Sequence, residues 1–312
     1  MSHVKAIKRV VPRSFWPYLG GVRRWVRAIP RRPLLEKQRL LSDPSLTERE
    51  RELLKQVNGK IYFNDTMYDG NGAHYYKVGL SAIECIDDAL KRAELEEIHT
   101  ILDLPCGSGR VLRFLVQRFP SAEITACEIQ RGSVQFCVRT FNAKPAYSSV
   151  NLDEVSLGKK FDLIWCGSLA THLNERGIDA LFRLFSRHLA PRGLVLVTTH
   201  GDFVSRRIPR REFDYGLNEE QNDRIGVSYA QTGYAFADYP GESDWGISLT
   251  SPAWIRARSR GRRPASLLQS TWLGRSPGCF WFRNEGANTE PSAVAPDAKV
   301  SFDKKKHAIR LK

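Results

Sequence analysis

Between residues 81 and 200, short apolar runs alternate with longer segments in which apolar residues recur every three or four positions. Short apolar runs are typical of buried strands, and a period near 3.6 residues is typical of amphipathic helices. The strands predicted in this way are 101–104, 123–129, 145–149, 161–167 and 193–200. Because most of the intervening segments have helical patterns, the chain predicts an α/β fold with a mostly parallel sheet and helices on both faces.

The flanking segments are more polar. A helix is predicted over residues 34–57, where Ser45 and Thr47 are candidate N-caps ahead of a glutamate-rich turn. Residues 62–80 are rich in Gly, Asn and Asp and are predicted as a loop, with Ser81 opening the next helix. The last elements that the pattern predicts are a helix near 217–231 and strands at 233–239 and 245–251.

The composition is that of a globular protein, because 42% of the 312 residues are hydrophobic and a sizeable core can be buried. No apolar run approaches the roughly 20 residues that span a bilayer, and the basic N-terminus lacks the apolar run of a secretory signal. We therefore expect a cytoplasmic protein. None of the six cysteines forms a C-x-x-C pair or lies at zinc-ligand spacing with a histidine, which predicts free, mostly buried thiols and no metal site.

The net charge of +14 is concentrated at the two ends of the chain. Residues 1–40 contain eleven Lys or Arg and one acidic residue, and residues 255–312 contain thirteen Lys or Arg and four acidic residues. Such ends are either simply solvated or contact an anionic surface, a membrane or a nucleic acid. We divide the chain into a basic N-terminal arm and helix (1–60), a central domain (61–255) and a basic, mostly irregular C-terminal tail (256–312).

The segment ILDLPCGSGRVLRFL places an acid, Asp103, at the end of a predicted strand, before a loop that contains Gly107 and Gly109. Glycines let a ligand approach the backbone closely, and free N–H groups at the start of the next helix bind a carboxylate. A carboxylate such as Asp103 accepts hydrogen bonds from a ligand ammonium group. The second predicted strand also ends in an acid, Glu128, which can bond the hydroxyls of a ribose, and Ile129 offers an apolar face to adenine.

Four strings, DLPCGSGR, ACEIQRGSVQFC, FDLIWCGSLATHL and HLAPRGLVLVTTHG, resemble motifs I, II, IV and V of class I methyltransferases that use S-adenosylmethionine (SAM). The nearest resemblance is to bacterial methyltransferase-domain proteins of types 11 and 12, over roughly residues 60–255. It implies a Rossmann-like, seven-stranded sheet that ends in an antiparallel hairpin, with SAM as the methyl donor. By this resemblance, SAM-contacting roles carry over to Asp103, Gly107, Gly109 and Glu128, and less directly to Cys106, Ser108, Ser149 and Cys166.

The competing interpretation of the glycine loop is a dinucleotide site. Its fingerprint, G-x-G-x-x-G/A, needs a third small residue, but the string GSGRVL has leucine at that position. A pyrophosphate also has no use for the acid Asp103 at the entrance of the loop. The sequence therefore favours SAM over NAD.

Two features depart from the family pattern. The first glycine of D-x-G-x-G-x-G is Pro105 here, and proline restricts φ to about −65°. The only candidate for a seventh strand is GCFWFRN, residues 278–284, which lies in the basic tail. This tail is either natural or the result of a frameshift near residue 258, which would leave the sheet without its last strand.

Methyl transfer from a sulfonium is an in-line displacement, and a general base is needed only when the nucleophile arrives protonated. His172 and His200 follow the fourth and fifth predicted strands, where an acceptor would lie, and they are the candidate bases. Each is equally consistent with a structural histidine. His74, Tyr75 and Tyr76 lie in the predicted 62–80 loop and are candidate contacts to the cofactor or the acceptor.

Three functions remain open. A methyltransferase for a small molecule or glycan predicts a cavity lined by residues from the 62–80 and 202–250 segments. A nucleic-acid methyltransferase is suggested by the basic ends, but the fourth strand leads into CGSLATHL, without the N/D-P-P-Y/F string of amino-methylating enzymes or a Pro-Cys nucleophile. A non-catalytic SAM-fold binding module is the third possibility, and the sequence favours no acceptor atom and no oligomeric state.

Overall fold

The computed structural model describes residues 31–68, 71–208, 210, 212, 215–259 and 278–283. The helices in these ranges are α1 (Arg31–Leu41), α2 (Glu48–Gln56), α3 (Gly72–Arg92), α4 (Leu112–Arg118), α5 (Arg131–Phe141), α6 (Glu175–His188), α7 (Asp202–Ser205), α8 (Glu219–Thr232) and α9 (Pro252–Ser259). The strands are β1 (Thr100–Asp103), β2 (Glu123–Glu128), β3 (Lys144–Tyr147), β4 (Phe161–Cys166), β5 (Leu189–Thr199), β6 (Tyr234–Asp238), β7 (Gly246–Thr250) and β8 (Gly278–Arg283). A 3₁₀ turn, Leu169–Thr171, follows β4.

The main sheet has the strand order β3-β2-β1-β4-β5-β8. The first five strands are parallel to their neighbours, and β8 is antiparallel to β5. Asp103 at the end of β1 pairs with Ala126 of β2 on one side and Trp165 of β4 on the other, so the central strands end at a common edge. The order of connection reverses beside β1, and ligands of open α/β sheets bind at such a point.

The predicted α/β fold with a parallel sheet and flanking helices is confirmed, but the residues that the structure describes do not form a seven-stranded sheet. Both strands predicted after residue 230 form, but they are β6 and β7 of an antiparallel hairpin that, in the described residues, forms no ladder with the main sheet. Within the described residues, the main sheet therefore has six strands and the hairpin is a separate two-stranded sheet.

The candidate seventh strand in the basic tail does form as β8. It pairs with β5 over six residue pairs, and Phe282 is buried with its ring 5.2 Å from that of Phe182 in α6. This pairing supports a native chain through β8, because a frameshift near residue 258 would leave the edge of β5 unpaired. Residues 260–277 and 284–312 of the predicted tail lie outside the described residues.

The core lies on both faces of the main sheet. Successive residues of a strand point to opposite faces, so Ile101 packs with buried residues of α3 and α4, and Leu102 packs with buried residues of α6. A third apolar cluster lies between α8 and the β6–β7 hairpin. Burial on both faces explains why the central strands are continuous apolar runs in the sequence.

The single helix predicted over residues 34–57 is two helices, α1 and α2. The chain leaves helical geometry near Pro44, which has no N–H to donate and disfavours a helical residue before it. Thr47 is confirmed as an N-cap: its side chain accepts from the Glu50 N–H, and the Glu50 carboxylate accepts from the Thr47 N–H. Ser45 lies in the turn that connects the two helices.

The prediction of a loop over residues 62–80 is wrong from Gly72 onward, because α3 begins there after its N-cap, Asn71. Glycine in a helix is usually unfavourable, but Gly79 has a packing reason. A Cβ at Gly79 would lie 2.1 Å from the ring of Phe114, so glycine is what allows α3 and α4 to approach this closely. The sequence alone could not show this contact.

Arg113 fixes the loop after β1 to the N-terminal segment. Its side chain is fully buried and donates hydrogen bonds to the carbonyls of Gly109, Asn58 and Lys60 and to the Tyr75 hydroxyl, at 2.8–3.1 Å. Three backbone carbonyls and a hydroxyl thus satisfy a guanidinium that would otherwise be costly to bury. These hydrogen bonds hold the loop after β1 in one conformation against the N-terminal segment.

Two expectations from composition can be compared with the structure. No helix among the described residues is long and apolar enough to cross a bilayer. The thiols of Cys85, Cys106, Cys127, Cys137 and Cys166 are free and buried, as predicted, and the side chain of Cys279 lies outside the described residues.

Candidate active site

The loop between β1 and α4 contains two glycines with left-handed backbone. Gly107 has a φ of +50° and Gly109 a φ of +80°, a region that costs other residues roughly 1–2 kcal/mol. A Cβ at Gly109 would lie 2.6 Å from the ring of Phe141, whereas a Cβ at Gly107 would meet nothing within 4 Å. Glycine at position 109 is therefore needed so that Phe141 can pack against it, whereas the backbone at Gly107 is open to a ligand. The peptide bond before Pro105 is cis.

The carboxylate of Glu128 is held by three backbone N–H groups. Gly107 N donates to Oε2 at 3.2 Å, and Ile129 N and Gln130 N donate to Oε1 at 2.7 and 3.3 Å. These bonds connect the end of β2 to the glycine loop and to the start of α5. A carboxylate has about four acceptor sites, so three N–H bonds leave one for a ligand hydroxyl.

Asp103 is buried without a full set of partners. Its residue is 1% exposed, and Oδ2 has no hydrogen-bond partner within the described part of the chain. Burial and then the negative charge of Glu128 raise the pKa of Asp103 well above its usual range, and the positive charge of Arg110 opposes them. Because a buried polar atom without a partner costs roughly 1–3 kcal/mol, Asp103 is suited to accept a hydrogen bond from a cationic ligand group.

Arg110 is a candidate site residue that the sequence analysis did not single out. It follows Gly109 directly and lies in the wall of the cavity described next. Burial lowers the pKa of Arg110, while the charges of Tyr75, Asp65 and Asp103 act in the opposite direction. Its position in the sequence could have indicated this role, since a basic residue directly after a glycine loop can face an anionic group of the ligand.

A cavity of about 1140 Å³ opens at the carboxyl ends of the parallel strands. Its first end is lined by Asp103, Cys106, Gly107, Ser108, Arg110, Glu128, Ile129 and Ser149. Its second end is lined by the segment after β4 and the β6–β7 turn, including Ser168, His172, Asn174, Asp244 and Trp245. Since sites for drug-sized ligands measure roughly 300–1,000 Å³, there is room for a nucleoside-sized cofactor and a small acceptor side by side.

Both segments predicted to line the acceptor side contribute to this cavity. The 62–80 segment provides Asn64, Asp65, Thr66, Met67, His74 and Val78, and the 202–250 segment provides Glu242, Ser243, Asp244 and Trp245. Tyr75 and Tyr76 do not line it, because they are fully buried in α3. Of the three residues named in the predicted loop, His74 alone therefore stays a candidate contact.

His172 follows the 3₁₀ turn after β4 and is held on three sides. Its Nδ1 lies 2.8 Å from the Tyr239 hydroxyl and 3.2 Å from the Gly246 carbonyl oxygen. Its ring stacks on Trp245 with 4.9 Å between centroids. Burial lowers the pKa of His172, and the hydrogen bond to the Gly246 carbonyl partly offsets this. The lowered pKa favours the neutral imidazole, which can accept a proton.

A family model described as a methyltransferase domain matches residues 101–193, from β1 into β5. This range includes the glycine loop, Glu128 and the turn that carries His172. The chain contains a class I SAM-dependent methyltransferase domain. SAM is the methyl donor of this domain class, and the acids at the ends of β1 and β2 are the residues that the resemblance relates to it.

The methyltransferase domain is similar to proteins with different acceptors. It is 27% identical to a malonyl-[acyl-carrier protein] O-methyltransferase of Acetivibrio thermocellus, over 36% of this chain and 39% of that protein. It is 25% identical to a dTDP-3-amino-3,6-dideoxy-alpha-D-glucopyranose N,N-dimethyltransferase of Streptomyces fradiae, over 43% of this chain and 50% of that protein. The chain thus spans half or less of the length of these relatives.

Among solved structures, the domain is similar to SAM-bound CalS10, an amino pentose methyltransferase from Micromonospora echinaspora. The similarity covers 73% of this chain and 98% of CalS10, at 16% sequence identity and a TM-score of 0.48.

Three predicted site residues of the methyltransferase domain do not line the cavity. Cys166 lies fully buried in the core between β4 and α6, and Gly109 packs against Phe141. His200 bridges to Leu249 of the hairpin, and burial lowers its pKa to about 3. The geometry therefore favours His172 over His200 as the base, and gives Gly109 and Cys166 positions behind the site rather than in its wall.

The remaining predicted residues line the cavity, but they differ in exposure and in their hydrogen-bond partners inside the protein. Ile129 is 49% exposed, so its apolar side chain is open to a ligand. The Ser149 hydroxyl accepts from Asn151 N at 3.2 Å, and the Ser108 hydroxyl lies 3.2 Å from that of Ser133. Both serines thus have partners inside the protein, and turn formation explains them as well as ligand contact does.

Proposed function

We propose that this protein transfers a methyl group from SAM to a small-molecule or glycan acceptor. The observation that carries the proposal is the buried Asp103 carboxylate, which lies in the cavity wall beside the glycine loop with an oxygen that has no partner among the described residues. A ligand ammonium group is the donor that such a carboxylate needs. The methionine part of SAM has an ammonium group next to a carboxylate.

The other parts of SAM have matching partners at the same edge of the sheet. Arg110 and the N–H groups at the start of α4 suit the carboxylate of the methionine part. Glu128 has an acceptor site for a ribose hydroxyl, and Ile129 has an exposed apolar side for adenine. Neither a pyrophosphate nor a simple phosphate ligand would use an acid at the entrance of the loop.

His172 is the proposed general base. SAM, when bound, supplies a methyl group that is activated by the sulfonium. The cavity walls would hold the acceptor beside that methyl group, and Nε2 of His172 would take the proton that a hydroxyl acceptor loses as the new bond forms, or that an ammonium acceptor loses before its nitrogen attacks. Its lowered pKa keeps His172 ready to accept the proton at neutral pH.

The second end of the cavity supports a small polar acceptor. Trp245 is 39% exposed and offers an aromatic surface beside polar groups, and the Asn174 amide donates to the Asp244 carboxylate at 2.6 Å. An aromatic ring flanked by hydrogen-bonding groups suits a sugar or a similar hydroxylated molecule. The curated relatives are named for a malonyl-[acyl-carrier protein] and for a dTDP-linked amino sugar, so the acceptor differs among proteins with this domain.

Calorimetric titration with S-adenosylhomocysteine tests the proposed site. We expect micromolar binding by the wild type and roughly ten- to hundred-fold weaker binding by Asp103→Asn, because the ligand ammonium then meets a neutral amide. Glu84→Gln is the matched control, since it neutralises an exposed carboxylate of α3 that does not line the cavity.

Unchanged affinity in Asp103→Asn would remove the proposed role of this carboxylate. A folded wild-type protein that binds neither S-adenosylhomocysteine nor SAM would overturn the methyl-transfer function itself and leave a non-catalytic module.

A further inference from the structure

We propose that Tyr239 is a positioning residue: its hydroxyl accepts from the Nδ1–H that the Gly246 carbonyl requires, and so holds the His172 ring with a bare Nε2 towards the acceptor and stabilises its imidazolium. This inference rests on the proposed role of His172 as the base. Its test reads the state of the His172 ring directly, and is independent of whether SAM binds or any acceptor is methylated.

The hydrogen-bond partners of Nδ1 select one neutral form of the ring. A carbonyl oxygen can only accept, so the Gly246 oxygen at 3.2 Å requires a hydrogen on Nδ1. The Tyr239 oxygen at 2.8 Å can accept from the same hydrogen. In the alternative form, the Tyr239 hydroxyl would donate to a bare Nδ1, and that lone pair would face the Gly246 oxygen without a hydrogen between them. The first form leaves the lone pair on Nε2, which is the one that a general base needs.

The β6–β7 hairpin positions both hydrogen-bond partners of His172 Nδ1. Tyr239 directly follows β6 and Gly246 begins β7, and Tyr239 N donates to the Trp245 carbonyl at 3.0 Å. Gly246 N also donates to the His172 carbonyl at 3.0 Å, so the hairpin holds the backbone of His172 as well as its ring. A Cβ at Gly246 would lie 1.9 Å from the Ala237 carbonyl oxygen, so glycine is what lets the strands meet here.

Titratable groups from several elements lie near His172 or share the cavity with it. His200 lies close enough at the end of β5 for its pKa to be lowered by His172, after the larger effect of burial. Asp103 of β1, Arg176 of α6, and Glu242 and Asp244 of the hairpin turn line the same cavity. Burial raises the pKa of Tyr239, so its hydroxyl stays neutral through the range in which His172 titrates. Two neutral oxygens on Nδ1 stabilise the imidazolium that forms when Nε2 takes a proton.

The test is long-range ¹H–¹⁵N NMR on the full chain with ¹⁵N-labelled histidine, titrated from pH 4 to 8 and assigned with His172→Gln. We expect wild-type His172 to be mainly Nδ1–H when neutral. In Tyr239→Phe, we expect neutral His172 to stay mainly Nδ1–H, because the Gly246 carbonyl still requires that hydrogen, and the proton affinity of His172 to fall roughly five-fold for one lost hydrogen bond, so that its pKa decreases. The pKa decreases because the imidazolium loses an acceptor.

The control is Tyr229→Phe, which removes a hydroxyl that donates to Asp202 at 2.6 Å, from a residue of the apolar cluster that Tyr239 packs against. It should leave both the tautomer ratio and the pKa of His172 at the wild-type values. The proposal is overturned if Tyr239→Phe behaves as this control does. It is also overturned if wild-type His172 is mainly Nε2–H, a result that needs no variant and so holds even if Tyr239→Phe does not fold.

Discussion

Asp103 and Glu128 show how two acids at neighbouring strand ends can differ in their surroundings. Glu128 accepts from three backbone N–H groups, whereas Asp103 has a buried oxygen without a partner among the described residues. In the free protein, the hydrogen bonds of Glu128 stabilise the loop, whereas the unpartnered oxygen of Asp103 lowers the stability of the fold. A cationic ligand group that donates to Asp103 would remove this cost. Strongly raised carboxyl pKa values of this kind are concentrated at functional sites.

Asp103→Asn should therefore be more stable than the wild type in the absence of ligand, and increasingly so as the pH rises. The folded-state pKa of Asp103 lies above the unfolded value of about 3.9, so the folded protein binds more protons and its stability falls as the pH rises from about 4 towards the folded pKa. The asparagine variant lacks this dependence. Thermal unfolding from pH 4 to 7 measures the difference in midpoint between the two proteins, with Glu84→Gln as the control, and a difference that does not grow with pH would contradict this account.

At the scale of single elements, glycine and arginine determine how the first helices meet the sheet. Gly79 lets α3 pack on Phe114 of α4. The Arg113 side chain donates hydrogen bonds both to the Gly109 carbonyl and to carbonyls of the N-terminal segment, and so connects the two. The glycine loop is thus supported from one side by α4 and α5 and open to the cavity on the other. Its two glycines, Gly107 and Gly109, have similar backbone conformations but different surroundings.

Alanine at the two loop glycines should separate backbone strain from packing. Gly107→Ala should lower the free energy of unfolding by about 1–2 kcal/mol, the cost of a left-handed non-glycine residue. Gly109→Ala should cost about 1–3 kcal/mol more, because its Cβ would lie 2.6 Å from Phe141. Urea denaturation of the two variants measures both values. Equal losses would show that the loop or Phe141 adjusts at no cost.

At the scale of the whole molecule, β8 completes the sheet and the β6–β7 hairpin completes the second end of the cavity. The hairpin is bridged to the segments that follow β4 and β5, by Trp245 to Leu173 and by Leu249 to His200. Residues 1–30 and the C-terminal residues after β8 lie outside the described residues, so contact of the basic ends with a membrane or nucleic acid stays a prediction. The division of the chain at residues 60 and 256 likewise stays a prediction.

Phe282→Ala tests whether β8 is part of the folded protein. Phe282 is 7% exposed and packs edge to face on Phe182, so its truncation should cost about 3–5 kcal/mol of unfolding free energy. Phe63→Ala is the control, because that ring is 54% exposed and should cost much less. Both are read by urea denaturation, and a negligible loss in Phe282→Ala would mean that β8 contributes nothing to stability in solution.

Much of the fold and part of the site could be predicted from the sequence because the signals are local. The five parallel strands are visible as short apolar runs, since both faces of the sheet are buried. The cap at Thr47 follows from residues within one turn of helix. The cavity-lining acids Asp103 and Glu128 were found because each ends a strand of a parallel sheet, and parallel strands end at one edge.

By itself, the sequence determined the α/β class, the strand ends that carry the two acids and the glycine loop between them. Tertiary structure alone decided which histidine lines the cavity, because His172 and His200 both come after parallel strands and their local sequence does not show which one is covered by the hairpin. It also decided that β6 and β7 form a separate hairpin that places Tyr239 on His172. These features depend on contacts between segments far apart in the chain, and such contacts leave no periodic or local pattern in the sequence.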